Sequence, residues 1–213
     1  MKYPIGIQTF EQIIRQGFVY VDKTDMVYSL ATEGKVYFLS RPRRFGKSLL
    51  LSTLRAYFEG KKDLFAGLKI DALEHDWHVH RVFHFDFNGI NFTESGALNR
   101  VLDSMLSEWE REYGIVTDVP QEYGLRFYRI LQAAAEQTGR GAVVLVDEYD
   151  KPLLDVLERD PELLDRNRDI LKAFYSVFKQ ADASLRFVFL TGVTKFSQVS
   201  VFSGFNQPKD ISM

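Results

Sequence analysis

The sequence predicts an α/β protein in which helices cover both faces of a mostly parallel sheet. Short apolar runs of strand length recur at 36–40, 82–87, 142–146 and 186–190, and segments with three- and four-residue apolar spacing separate each from the next. Parallel neighbours need such long crossovers, which are right-handed and lay their helices against the sheet, so three layers are expected. Composition agrees: 213 residues, 46% hydrophobic, 27 Lys+Arg against 29 Asp+Glu and a formal charge of −2. That balance excludes a disordered tail, a collagen-like fibre or a polybasic nucleic-acid arm as the whole chain. A chain of this length buries roughly 70% of its unfolded surface, so a single domain over 1–213 is expected, with 1–35 as a helical lead-in and 36–213 as the core.

The elements follow in order. Thr9-Phe10-Glu11-Gln12 has the form of a capping box and opens a short helix with Phe10, Ile13 and Ile14, which Gly17 stops. Asp22 is placed to cap a second helix bearing Met26, Val27 and Leu30, ending near Gly34. The strand at 36–40 leads through a glycine-lysine turn into a helix over about 47–59, with Leu50, Leu51, Leu54, Tyr57 and Phe58 inward and Gly60 as the stop. After the strand at 82–87, the spacing of Ala97, Leu98, Val101, Leu102, Met105, Leu106, Trp109 and Tyr113 makes the clearest amphipathic helix in the chain. A further helix is expected over 123–138, broken by Gly139-Arg140-Gly141 before the strand at 142–146. Asp160-Pro161 opens a helix over about 161–181, a cap residue followed by proline in the first turn. The strand at 186–190 closes the series.

The chain has no cysteine, so disulfides and thiolate zinc sites are excluded. Its apolar stretches are far shorter than the roughly 20 residues that span a bilayer, and the N-terminus lacks the apolar core of a signal peptide. A soluble, cytoplasmic protein with no membrane partner is expected.

Chemistry concentrates where strands end. Ser40-Arg41-Pro42-Arg43-Arg44-Phe45-Gly46-Lys47-Ser48 stands between a strand and a helix, the setting of a phosphate-binding loop. Unpaired amides at the helix N-terminus point at an anion there. The expected nucleotide-binding set is Arg43, Arg44, Phe45, Gly46, Lys47, Ser48 and Leu49: Gly46 lets the backbone approach closely, Lys47 reaches the β and γ phosphates, and the Ser48 hydroxyl is a ligand for Mg²⁺. Arg43 and Arg44 either add charge to this cradle or are solvated surface residues. Arg41 occupies the place where the motif G-x-x-x-x-G-K-[ST] has its first glycine, which restricts the entry turn.

Val143-Val144-Leu145-Val146-Asp147-Glu148 is an apolar strand ending in two carboxylates. Asp147 is expected to hold the magnesium shell, and Glu148 to polarise a water for in-line attack on the γ phosphate. Thr191, at the end of the last strand, is expected to orient that water or sense the γ phosphate. Thr194 and Lys195 are weaker candidates for that role, and Asp86 and Asn88 lie on the same rim. The four histidines, His75, His78, His80 and His84, cluster suggestively. Yet on an extended segment His80 and His84 stand about 13 Å apart, too far for one zinc; packing, hydrogen bonding or surface placement is their expected use.

These motifs, together with Tyr3-Pro-Ile-Gly-Ile, Tyr20-Val-Asp-Lys-Thr and the run from Phe189 to Ser197, resemble the AAA-ATPase-like domain family, of the P-loop division with an extra catalytic glutamate. The resemblance covers nearly the whole chain, and Arg41 agrees with the family's form of the loop. It implies an ATP-binding domain, an Mg-dependent ATPase when complete, or alternatively a nucleotide-dependent switch that regulates a partner. It also implies a sheet in the order 5-1-4-3-2, with the sensor strand between the two Walker strands. Members commonly carry a nuclease-like domain after the ATPase portion. The chain stops before the segment expected to supply the fifth strand, which suggests a piece of a longer protein with the Walker A strand at an exposed edge, open to homo-oligomer formation. Nucleic acid is expected as a partner only through that further domain. Arg166 and Arg168 are candidate arginine-finger donors in trans, and Phe18, Tyr20 and Tyr37 candidate flanks for the base; the plainer uses are solubility and core packing.

Overall fold

In a computed structural model, residues 1–195 and 208–212 are described. Phe196 and Ser197, the end of one motif of the resemblance, lie outside them. Five parallel strands, β1 (Val36–Ser40), β2 (Val82–Asp86), β3 (Ala142–Asp147), β4 (Leu185–Gly192) and β5 (Lys209–Asp210), form one sheet in the order β2-β3-β4-β1-β5. This is the expected order read from the other edge. The expectation of a missing fifth strand is corrected. β5 pairs Lys209 with Tyr37 and Asp210 with Phe38, Ile211 N–H reaches Phe38 O at 3.0 Å, and Ser40 N–H donates to Ser212 Oγ at 2.6 Å. A two-residue strand held through backbone bonds carries no apolar alternation that a sequence reading detects. It also covers the outer side of β1 at Tyr37 and Phe38, which the expectation left exposed.

Strand alternation sorts the core into two halves. Phe38, Phe83, Phe85, Val144, Val146, Val188 and Leu190 face one side, where α4 (Ala97–Glu112), α5 (Tyr123–Thr138), α7 (Pro161–Tyr175) and α8 (Val177–Gln180) pack. Tyr37, Val143, Leu145, Phe187 and Phe189 face the other, under α1 (Phe10–Arg15), α2 (Thr24–Glu33) and α3 (Lys47–Phe58). Each fully buried aliphatic or Phe side chain contributes about 1.5–3 kcal/mol, and a sheet buried on both faces is what parallel pairing requires. The lead-in 1–35 is built into the second half, since Phe10, Val27 and Ala31 are buried there. A short α6 (Lys151–Leu154) follows the acidic strand end.

Local signals differ in how they are satisfied. Asp160 caps α7 as expected, its carboxylate accepting from Leu163 N–H at 2.9 Å with Pro161 in the first turn. Asp22 accepts from Thr24 N–H at 2.9 Å and Thr24 Oγ1 at 2.7 Å. The capping box at α1 does not form: Thr9 makes no side-chain cap bond, and the first amide of the helix, Phe10 N–H, is met instead by Ser52 Oγ of α3 at 2.9 Å. The helix expected over about 161–181 is interrupted once, at Ser176, and resumes as α8; at the break the Ser176 hydroxyl donates to the Ala173 carbonyl at 2.7 Å and competes with the helical ladder.

One buried ion cluster ties α4 to α5. The Arg126 guanidinium, 1% exposed, donates twice to Glu110 (2.8 and 2.7 Å), and to Asp103 (2.6 Å), Ser107 Oγ (2.9 Å) and Pro120 O (3.0 Å). Removing one partner of a buried pair leaves the other charge uncompensated. Arg126→Ala is therefore expected to destabilise the fold by about 3–5 kcal/mol in urea unfolding; a loss within about 0.5 kcal/mol, as at ordinary surface sites, would show that Glu110 finds solvent instead.

Candidate functional site

The loop after β1 closes around its own lysine. Lys47, buried at the first position of α3, sends its amine back to Arg41 O at 2.9 Å and Pro42 O at 3.2 Å. The first bond of α3 runs from Leu50 N–H to Gly46 O, so the amides of Lys47, Ser48 and Leu49 have no intrahelical acceptor. Gly46 caps the helix at φ 77°, a conformation in which a side chain is strained. Arg41 is tolerated in the glycine position of the motif because the left-handed residues of this loop are Arg44 (φ 68°) and Gly46. Arg41 extends the strand instead, donating its N–H to Gly192 O at 3.1 Å. Arg43, Arg44 and Phe45 are exposed on the outer side of the loop.

Asp147 is the hub. Its carboxylate is 2% exposed and takes donors from three other elements: Ser48 Oγ on Oδ2 at 2.7 Å, Thr191 Oγ1 on Oδ1 at 2.6 Å, and Asn88 Nδ2 on Oδ2 at 3.1 Å. Ser48 and Asp147 lie 99 positions apart in the chain and meet because β1 and β3 flank β4 with their carboxyl ends on the same rim. Asn88 also donates to Asp86 Oδ1 at 2.9 Å, so the end of β2 joins the same network. Among the described residues no group of three or more His, Cys, Asp or Glu is arranged to hold a metal ion. His75 and His78 are exposed, and His80 Nδ1 lies 2.9 Å from Gly141 O.

Glu148 follows with φ 53°, left-handed backbone on a residue with a Cβ, which costs about 1–3 kcal/mol and is characteristic of functional sites. Burial, and then the neighbouring Asp147, push its carboxyl upward from the ordinary value, against the pull of Lys47 and Arg43. Thr191 is fully buried and sits between the acids, its hydroxyl on Asp147 and 3.4 Å from Glu148 N–H. The weaker candidates are engaged elsewhere: Thr194 Oγ1 donates to Asp150 at 3.0 Å and Lys195 pairs with Asp210 at 2.7 Å. Arg166 and Arg168 pair with Glu162 and Asp165 on their own helix. Tyr37 is buried between Phe187 and Phe189, Tyr20 packs on Phe10, and Phe18 lies under the Lys2 amine, so the three aromatics serve packing. Sequence reasoning missed Tyr149 and Asp150, buried residues that fasten the acidic strand end to β4; the second Asp of Asp-Glu-Tyr-Asp was the available signal.

Residues 4–202 match the model of a family described as "Predicted AAA-ATPase", and the chain belongs to that family. It is also similar to a protein of Azotobacter chroococcum mcd 1 described as "Uncharacterized protein in vnfD 5'region", 46% identical over 215 residues. The alignment covers all of this chain and 41% of that relative, so the chain spans less than half of the relative's length. No solved structure matches the chain. No helix among the described residues is long and apolar enough to cross a membrane.

The Asp147 hub is testable by itself. Thr191→Val removes one donor from a buried carboxylate, a loss of about 1–3 kcal/mol in denaturant unfolding, whereas Thr191→Ser keeps the hydroxyl and should stay near the wild-type midpoint.

Proposed function

We propose that this member of the family binds ATP at the loop 41–48 and hydrolyses it with magnesium. The observation that carries the reading is the 2.7 Å bond between Ser48 and Asp147, which joins the start of the loop helix to the acidic strand end. In that reading the Lys47 amine exchanges the carbonyls of Arg41 and Pro42 for β and γ phosphate oxygens, and the amides of residues 46–49 receive the rest of the anion. Gly46 keeps the loop open to close approach, while Arg43, Arg44 and Phe45 form its outer lip.

The donor set fits magnesium. Ser48 Oγ and Asp147 Oδ2 are hard oxygens already within bonding distance of each other, and two protein oxygens supplemented by water and phosphate suit this ion. When bound, magnesium supplies positive charge against the β and γ phosphate oxygens. Glu148 acts as the base that orients and deprotonates the attacking water, and its upward-shifted carboxyl suits a group that must hold a proton transiently. Thr191, anchored to Asp147, orients the water or reads the γ phosphate.

Titration with ATP and ADP, with and without Mg²⁺, tests the reading. Lys47→Ala is expected to weaken ATP binding at least tenfold, and affinity equal to wild type removes the phosphate role of the loop. Glu148→Gln is expected to keep ATP affinity while single-turnover hydrolysis falls about a hundredfold or more, within the range general-base catalysis contributes. Tight binding with negligible turnover that Glu148→Gln leaves unchanged would instead make the domain a nucleotide-dependent switch.

A further inference from the structure

Among the described residues no side-chain hydrogen bond holds the Glu148 carboxylate, so its place is set by its backbone. That backbone is left-handed and therefore persists only if both flanks are pinned. On the N-terminal side the Asp147 hub does this. On the C-terminal side, Tyr149 N–H donates to Thr191 O at 2.9 Å and the Tyr149 hydroxyl to Thr194 O at 3.1 Å. Asp150, completely buried, then gathers three donors on Oδ2: Val193 N–H at 3.0 Å, Thr194 N–H at 2.8 Å and Thr194 Oγ1 at 3.0 Å. Gly192 fits beneath this clasp because a Cβ there would stand 2.4 Å from the Tyr149 ring and 3.0 Å from Asp150 Oδ1.

Val193 N–H also reaches Oδ1 at 3.3 Å, so both oxygens of the side chain face donors, as an acceptor-only carboxylate suits. A buried carboxylate is a costly way to meet a turn unless its position matters. We propose that Asp150 is a positioning residue: it clasps the turn 192–194 so that segment 147–150 and the end of β4 move as one piece, and this fixes where Glu148 stands relative to Thr191. Asp150 touches neither nucleotide nor water in this scheme and acts through the backbone of Glu148. The inference rests on the ATPase reading given above and adds to it a requirement on turnover that binding does not share.

The test uses the full chain and measures ATP affinity and single-turnover hydrolysis separately for wild type, Asp150→Asn, Thr194→Val and Thr194→Ser, with Lys47→Ala as reference. Asp150→Asn replaces one oxygen by an N–H donor amid donors. It is expected to lower the hydrolysis rate at least tenfold while the ATP Kd stays within twofold of wild type. Thr194→Val, lacking one of the three donors, should slow hydrolysis several-fold at unchanged Kd, and Thr194→Ser should restore the wild-type rate. A merely structural role would lower affinity and rate together. Wild-type turnover in Asp150→Asn, or a loss of affinity that matches the loss of rate, overturns the proposal while a defective Lys47→Ala leaves the ATPase reading standing. If Asp150→Asn does not fold, the Thr194 pair decides, and equal rates in Thr194→Val and wild type overturn it. Absence of hydrolysis by wild type overturns both readings.

Discussion

A carboxylate taken out of water at the carboxyl end of β3 is the constraint on which the site depends. Burying Asp147 is unfavourable by several kcal/mol unless its lone pairs are met. They are met from three directions, by Ser48 of the loop helix, Thr191 of the neighbouring strand and Asn88 beyond the edge strand. Each partner arrives by a different crossover of the sheet. In this strand order β4 stands beside β3 and β1 beyond it, so the hydroxyl of Thr191 and the hydroxyl of Ser48 converge on the same acid from one side of β3.

The sheet provides this convergence because it is rigid. Phe83, Phe85 and Phe127 interlock edge to face across one side, while Phe187 lies parallel to Phe189 on the other. Such contacts leave little room for strands to slide. Ser48, Asp147 and Thr191 stand on the first turn of a helix and on strand ends, which is how a scaffold keeps groups in place to fractions of an ångström. Among the described residues of this rim, glycine aside, left-handed backbone falls on Glu148 and on Arg44 in the loop.

What could be read from the sequence depended on how local the signal was. The bounds of β1 and α5 are those expected, since apolar runs and glycine stops lie within the elements themselves. The turn Gly46-Lys47-Ser48 and the pair Asp147-Glu148 were legible because residue type and strand context coincide. β3 and β4 run longer than their apolar runs. Polar Asp147, Thr191 and Gly192 continue the ladders through backbone pairing, Asp147 opposite Asp86 and Gly192 opposite Ser40. β5 and the partner that Asp150 finds in Thr194 were illegible for the same reason: each is decided by a segment tens or more of positions away, so the second Asp of Asp-Glu-Tyr-Asp could mark a residue but not what it clasps. The α1 start is likewise decided at a distance: its first amide, Phe10 N–H, is met by Ser52 of α3, while Thr9 makes no side-chain cap bond.

The self-bonded lysine of the loop has an energetic corollary. A flexible loop that folds only around its ligand gives up conformational freedom at the moment of association, on the order of 1–2 kcal/mol for each residue fixed. Here Lys47 already holds the carbonyls of Arg41 and Pro42, so most of that ordering is completed when the chain folds. Under the proposed ATP reading, an incoming anion would meet a preorganised cradle and exchange acceptors one for one. Its affinity would then be set by the quality of those exchanged bonds rather than by the entropy of assembling the loop.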